Sequence, residues 1–169
     1  MPTIQHTLVV CPKPEARLAV LRQFLKGVHV PTVVFFDAKR LTLLPKIASA
    51  LKQDDLRVDV LNEADDLESR SSAFEAFVRG EVDVLLTTDL AARGLDAPRT
   101  SLVVNFDVPR TATDYLHRAG RTARLGRNGA VLTICEENER FVVERFWNKL
   151  GVGIDEVAAG SEAYARLAG

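Results

Sequence analysis

The chain has 169 residues, 47% of them hydrophobic, with a formal net charge of −1 and two cysteines. That is apolar mass for one two-sided core and no second domain. Two thiols exclude a disulfide framework, apolar runs of strand length exclude a helical membrane span, and the near-neutral charge carries no basic excess of the kind nucleic-acid binders often show.

Residues 3–11 alternate and then run apolar, a first strand. Pro14 and Glu15 open an amphipathic helix with Leu18, Leu21, Phe24 and Leu25 inward, ended by Gly27. Residues 32–36, β-branched and aromatic, are the most strand-like run and break at Asp37 into a helix carrying Leu41, Leu44, Ile47, Ala48 and Leu51. Pro45 predicts a kink or a late start there, because its ring removes a donor and crowds the preceding turn. Residues 56–61 form a shorter strand. An acidic loop over 62–66 leads to a helix with Leu67, Ala73, Phe74 and Phe77 on its apolar side, ended by Gly80.

Val84, Leu85 and Leu86 form a short apolar run that stops at Thr87, Thr88 and Asp89, as a strand buried on both faces does, and residues 101–106 repeat the pattern. Residues 111–114 hold helix-start signals. Residues 129–135 read as a last strand and 136–150 as a helix with Phe141, Val142, Phe146 and Leu150 inward. Phe141 and Trp147 read as packing or docking aromatics rather than base-stacking ones. Residues 152–169, weakly periodic, read as a tail or the stump of a truncated extension, so the domain is expected over 1–150 with 151–169 outside it. Alternating strands and helices imply an α/β fold, a parallel sheet with helices on both faces and its chemistry at the carboxyl ends of the strands.

Cys11 and Cys135 end apolar strands and have no second thiol or His at a ligand spacing. They read as packed core thiols in a reducing compartment, and no metal site is expected. With no signal-like apolar segment behind Met1, the expectation is a soluble intracellular protein, neither secreted nor in a membrane. Charge is unevenly spread: Arg110, Arg118, Arg121, Arg124 and Arg127 crowd one segment, while Asp54, Asp55, Asp59, Glu63, Asp65, Asp66 and Glu68 crowd another, implying two opposite patches. His117, Arg121 and Arg124 are spaced by four and three, on one helical face if the helix continues past Gly120. Guanidinium groups aimed together suit a polyanion such as a nucleoside triphosphate.

ThrThrAsp at 87–89 with AlaArgGlyLeuAsp at 92–96, and HisArgAlaGlyArgThrAlaArg at 117–124, resemble the two last signature motifs of DEAD-box RNA helicases. The resemblance extends more weakly over about 4–150 and implies the second, C-terminal RecA-like lobe of such an enzyme. It implies ATP with Mg2+ as cofactor, the metal being held by a missing N-terminal RecA-like lobe. The other implied partners are RNA, bound largely without regard to sequence, and an accessory protein that adds RNA affinity. Arg121 and Arg124 would be arginine fingers toward the γ-phosphate, and His117 would couple the two lobes. Asp96 would bind the ribose, Arg93 and Gly94 would shape the loop, and Arg118 would brace the motif contacts on the nucleotide side. Neither a GxxxxGK[ST] loop nor a Walker B element occurs in the chain, so alone it is expected to be inactive.

On the RNA side, Thr88, Arg70 and Asp37 are the contacts that the resemblance carries over. There the chain also departs from the family pattern: Ala38 replaces a Thr, Leu67 a Gln, and Asn62, Glu63 and Ala64 a HisGlyAsp. Two other readings stay open, a non-catalytic RecA-like interaction module and a DNA-directed helicase lobe; the His117 start of the last motif speaks against the latter.

Overall fold

A computed structural model describes residues 3–94, 97, 99–123 and 128–161. The chain alternates β1 (Ile4–Cys11), α1 (Arg17–Leu25), β2 (Thr32–Phe35), α2 (Leu44–Gln53), β3 (Val58–Leu61), α3 (Leu67–Val78), β4 (Val84–Thr87), α4 (Asp89–Ala92), β5 (Leu102–Asn105), α5 (Ala112–Ala119), β6 (Gly129–Glu136), α6 (Arg140–Leu150) and β7 (Asp155–Glu156). The strands form one sheet in the order β3-β4-β2-β5-β6-β1-β7, and every pairing is parallel. β2, β4 and β5 are buried along their whole length, which is why their sequences run apolar instead of alternating with polar residues.

Period-two alternation sends neighbouring side chains to opposite faces of the sheet. Val34, Phe36, Leu86 and Val104 pack with Leu21, Phe24, Leu44 and Leu51 of α1 and α2. Val33, Phe35, Leu85 and Val103 pack with Phe77 of α3, Ala91 and Ala92 of α4, Tyr115 of α5 and Trp147 of α6. Cys11 lies in the first core and Cys135 in the second, so both thiols are free and buried, on opposite sides of the sheet. Burial raises both, Cys135 to about 12, so they stay protonated and unreactive at neutral pH.

Pro45 sits at the start of α2, which begins at Leu44 after a 3-10 turn over Ala38–Leu43; the late start replaces a kink because the first helical turn needs no N–H from the ring. Three expectations change. Leu67 is 72% exposed, because as the first residue of α3 it lies outside the stripe of Ala73 and Phe77 that meets the sheet. In α6 the buried positions are Val143 and Trp147, one turn apart, while Phe141 is 58% exposed. Of the residues expected inward, Phe146 and Leu150 pack partly buried against the same core, while the centre of the face falls on Val143 and Trp147, the indole meeting Tyr115 at 6.3 Å between ring centroids. Asp155 and Glu156, read as part of a tail, pair with Thr7 and Leu8 of β1 and close that edge of the sheet.

Candidate nucleotide-side cleft

The site is built where β4 and β5 end. Thr88 caps α4, its hydroxyl accepting the Ala91 N–H at 3.3 Å, and Thr111 caps α5 by accepting the Asp114 N–H at 3.0 Å. Arg118 joins the two. It is 3% exposed, and its guanidinium donates twice to the Asp89 carboxylate at 2.8 Å, to Asn105 Oδ1 at 3.2 Å and to the Asp107 carbonyl at 2.9 Å. The same group lies over the Phe35 ring at 5.2 Å. A buried guanidinium is tolerated only when paired and hydrogen-bonded, and here the bidentate Asp89 pair meets that demand.

On this brace opens a small cleft of about 70 Å3, lined by Phe35, Asp89, Arg93, Asp114, His117, Arg118 and Arg121. Of the nucleotide-side residues singled out in the sequence, His117, Arg93, Arg118 and Arg121 are brought together here. Arg118 differs from the others because four hydrogen bonds hold it inside the domain. These bonds tie Asp89 to the end of β5 and leave Arg118 little donor capacity for a direct cofactor contact. The helix does not continue past Gly120: α5 ends at Ala119, and Arg121 stands in the following turn. Gly120 lowers helix propensity and Ala123 adopts a left-handed φ of 57°, so the chain turns away. His117 and Arg121 line one cleft through that turn and not through a shared helical face. Gly94, with φ 78°, follows α4 in a conformation that suits glycine. Asp96 and Arg124 lie outside the described residues.

The three residues expected to meet RNA stand on different elements, Asp37 after β2, Thr88 after β4 and Arg70 in α3. Thr88 is 2% exposed, and its hydroxyl oxygen accepts the cap bond of α4. Arg70 lines a separate pocket of about 290 Å3 with Leu67, Ser71, Phe74, Glu75, Ala91 and Arg93, and its buried Nε has no hydrogen-bond partner. Asp37 accepts the Lys39 N–H at 2.9 Å and is paired with Arg110 at 3.2 Å. Burial pushes its carboxyl up, but Arg110 and the Lys39 amide more than offset this and hold it below the usual carboxylate range. Its own N–H donates to Asp107, which also holds Arg40 at 2.8 Å. The expected patches are partly neutralised: Arg118 and Arg110 are committed to carboxylates, Asp54 pairs with Arg22 and Asp66 caps α3.

Asp107 and Arg17 carry structural roles that sequence reading missed. Arg17 is 3% exposed and donates to the carbonyls of Phe106 and Ile134 and to Glu136 and Glu139. No local signal marks it, since its partners lie 89 to 122 residues away. Among the described residues, no group of three or more His, Cys, Asp or Glu side chains is placed to hold a metal ion, and no helix is long and apolar enough to cross a membrane.

Comparison with known proteins agrees with this fold. The helicase conserved C-terminal domain matches residues 16–126. The chain is 34% identical to the ATP-dependent RNA helicase ROK1 of Eremothecium gossypii over 97% of its own length and 29% of that protein's. It is 41% identical to the ATP-dependent RNA helicase DRS1 of Candida albicans over 83% of its length and 23% of that protein's. It thus spans less than a third of either of these relatives. Among solved structures, the E. coli DEAD-box protein SrmB bound to regulator of ribonuclease activity A superposes with a TM-score of 0.82 at 29% identity, over 93% of this chain and 91% of that one. The chain therefore belongs to the helicase C-terminal domain family, as a RecA-like C-terminal domain of the DEAD-box kind.

Proposed function

We propose that this domain is the C-terminal lobe of an ATP-driven RNA helicase, closing with an upstream RecA-like lobe around ATP and one RNA strand. The observation that carries the reading is the cleft in which His117, Arg93 and Arg121 stand on the rigid Arg118–Asp89 brace. Arg93, Arg121 and His117 face two carboxylates there, of which Asp89 is already engaged by Arg118, so beside Asp114 the balance of the cleft still suits phosphate oxygens. In this reading Arg121 and Arg124 stabilise charge on the transferred phosphoryl group, His117 couples the lobes, and Asp96 meets the ribose. ATP supplies the energy that drives closure and reopening, and the Mg2+ bound with it is held by the upstream lobe. RNA lies across the loops after β2 and β4 and the start of α3, where Asp37, Thr88 and Arg70 belong, with contacts to backbone and not to base edges.

A second reading, a RecA-like interaction module, is favoured by one observation: the positions at which the family pattern places polar RNA contacts present an exposed Ala38 and an exposed Leu67. An accessory protein that supplies RNA affinity would reconcile the two, in the way that SrmB is found with a protein partner. The test is ATP turnover by the full-length protein with and without RNA, with single-stranded DNA of the same sequence as control. Turnover stimulated by RNA and not by DNA is expected. Turnover indifferent to RNA would leave the interaction module as the better account.

A further inference from the structure

We propose that Thr122 is a positioning residue for the Arg121 guanidinium, acting through the turn that carries it; the inference rests on Arg121 serving ATP turnover as described above. That turn is held by the Thr122 hydroxyl and by the close approach of Gly129. Thr122 is 2% exposed, and its hydroxyl shares its proton between the carbonyls of Thr100 at 3.1 Å and Ser101 at 2.9 Å. The Ser101 carbonyl also accepts the Ala130 N–H at 3.2 Å, so the hydroxyl is tied directly into the β5–β6 ladder. Ala123, next in the chain, holds a left-handed φ of 57°, which a residue bearing a Cβ disfavours. Gly129, at the start of β6, lies against both: a Cβ there would overlap the Thr122 hydroxyl and stand 2.6 Å from the Ala123 nitrogen.

An unfavourable backbone conformation persists only where its surroundings over-determine it, and such places gather at functional sites. Here the Thr122 hydroxyl and the bare Cα of Gly129 hold Ala123 in place. Neither Thr122 nor Gly129 lines the cleft, and the lining residue next to Thr122 in the chain is Arg121, through which it acts. Arg121 borders both the cleft and a small apolar recess lined by Phe35, Thr87 and Thr100 among others, so the course of its backbone bears on where its side chain stands relative to the two. Displacing a charge-stabilising group by about 1 Å costs on the order of a hundredfold in rate.

The test compares Thr122→Val, which keeps the shape and removes the hydroxyl, with Thr122→Ser, which keeps the hydroxyl, in the full-length protein. Arg121→Lys serves as reference, and thermal unfolding of each variant is recorded. The expected result is a kcat lowered roughly tenfold to a hundredfold in Thr122→Val with KM for ATP within about twofold, and kcat within about threefold of the parent in Thr122→Ser. Unchanged turnover in Thr122→Val beside an inactive Arg121→Lys overturns the inference and leaves the reading of Arg121 intact. A silent Arg121→Lys overturns both. Equal losses in the Val and Ser variants, following their unfolding temperatures, show a packing role alone and also overturn it.

Discussion

At the scale of single residues, the arginines of the last motif divide by their surroundings. Arg118 is buried under Asp89, Asn105 and the Asp107 carbonyl, whereas Arg121 borders the cleft. Arg121→Lys keeps the charge and loses the planar fork, so in the full-length protein kcat should fall by on the order of 10³ or more while KM for ATP moves comparatively little. Steady-state turnover at saturating RNA measures this, and an unchanged kcat would make Arg121 structural. On the opposite side, Ala38 and Leu67 are both exposed, so restoring the family's polar groups there disturbs no packing. Ala38→Thr with Leu67→Gln should raise RNA affinity by several-fold to about a hundredfold, two hydrogen bonds being worth about 0.5 to 1.5 kcal/mol each. RNA binding with a non-hydrolysable ATP analogue across a salt series would show it. Equal affinities would mean that the strand does not pass over these positions.

At the scale of elements, what matters is how helix starts and ends are fixed against the sheet. Side chains of Thr88, Thr111 and Asp66 cap α4, α5 and α3, and of these the sequence marked Thr111 as part of a helix start. Arg17 works differently, tying the first residue of α1 to the ends of β5 and β6 and to the turn before α6. Replacing it by Ala leaves two carbonyls and two carboxylates without their donor. Arg17→Ala should therefore cost about 3 to 5 kcal/mol, the range for breaking a buried pair, read as a lowered urea midpoint at constant m value. A loss below 1 kcal/mol would show that water replaces the guanidinium freely at that end of the sheet.

At the scale of the whole molecule, the proposed function makes this domain half of a cleft. Without a phosphate-cradling loop in its sequence, this chain by itself should turn over no ATP, with or without RNA, in an assay cleared of contaminating ATPases. Its stability should also depend on pH through His6, buried beside Tyr115 with 2.8 Å between Nδ1 and the hydroxyl. Burial lowers the His6 pKa, so the unfolded chain takes up the proton first. Stability is then fully present above the unfolded value of about 6.5 and falls with pH below it, levelling off only beneath the folded pKa. Urea midpoints followed down from neutral pH should show this decline, and His6→Gln should remove part of it. An identical slope in the variant would assign the decline to other groups.

The period of the apolar residues determined the parallel α/β sandwich, because strands buried on both faces must run apolar and the helices that cover them must carry a stripe. The late start of α2 was likewise local, being a property of one prolyl ring. The two motifs, each within a few residues of a strand or helix end, singled out Arg93, His117, Arg118 and Arg121, which line one cleft. Tertiary structure alone decided the rest. Which face of α6 turns inward depended on Tyr115, and the role of Arg17 on carbonyls far away in sequence. Whether an arginine meets solvent or a carboxylate depended on Asp89 and Asp37 being brought beside Arg118 and Arg110 by the sheet. These are contacts between elements, and a linear pattern carries the faces of elements without their partners.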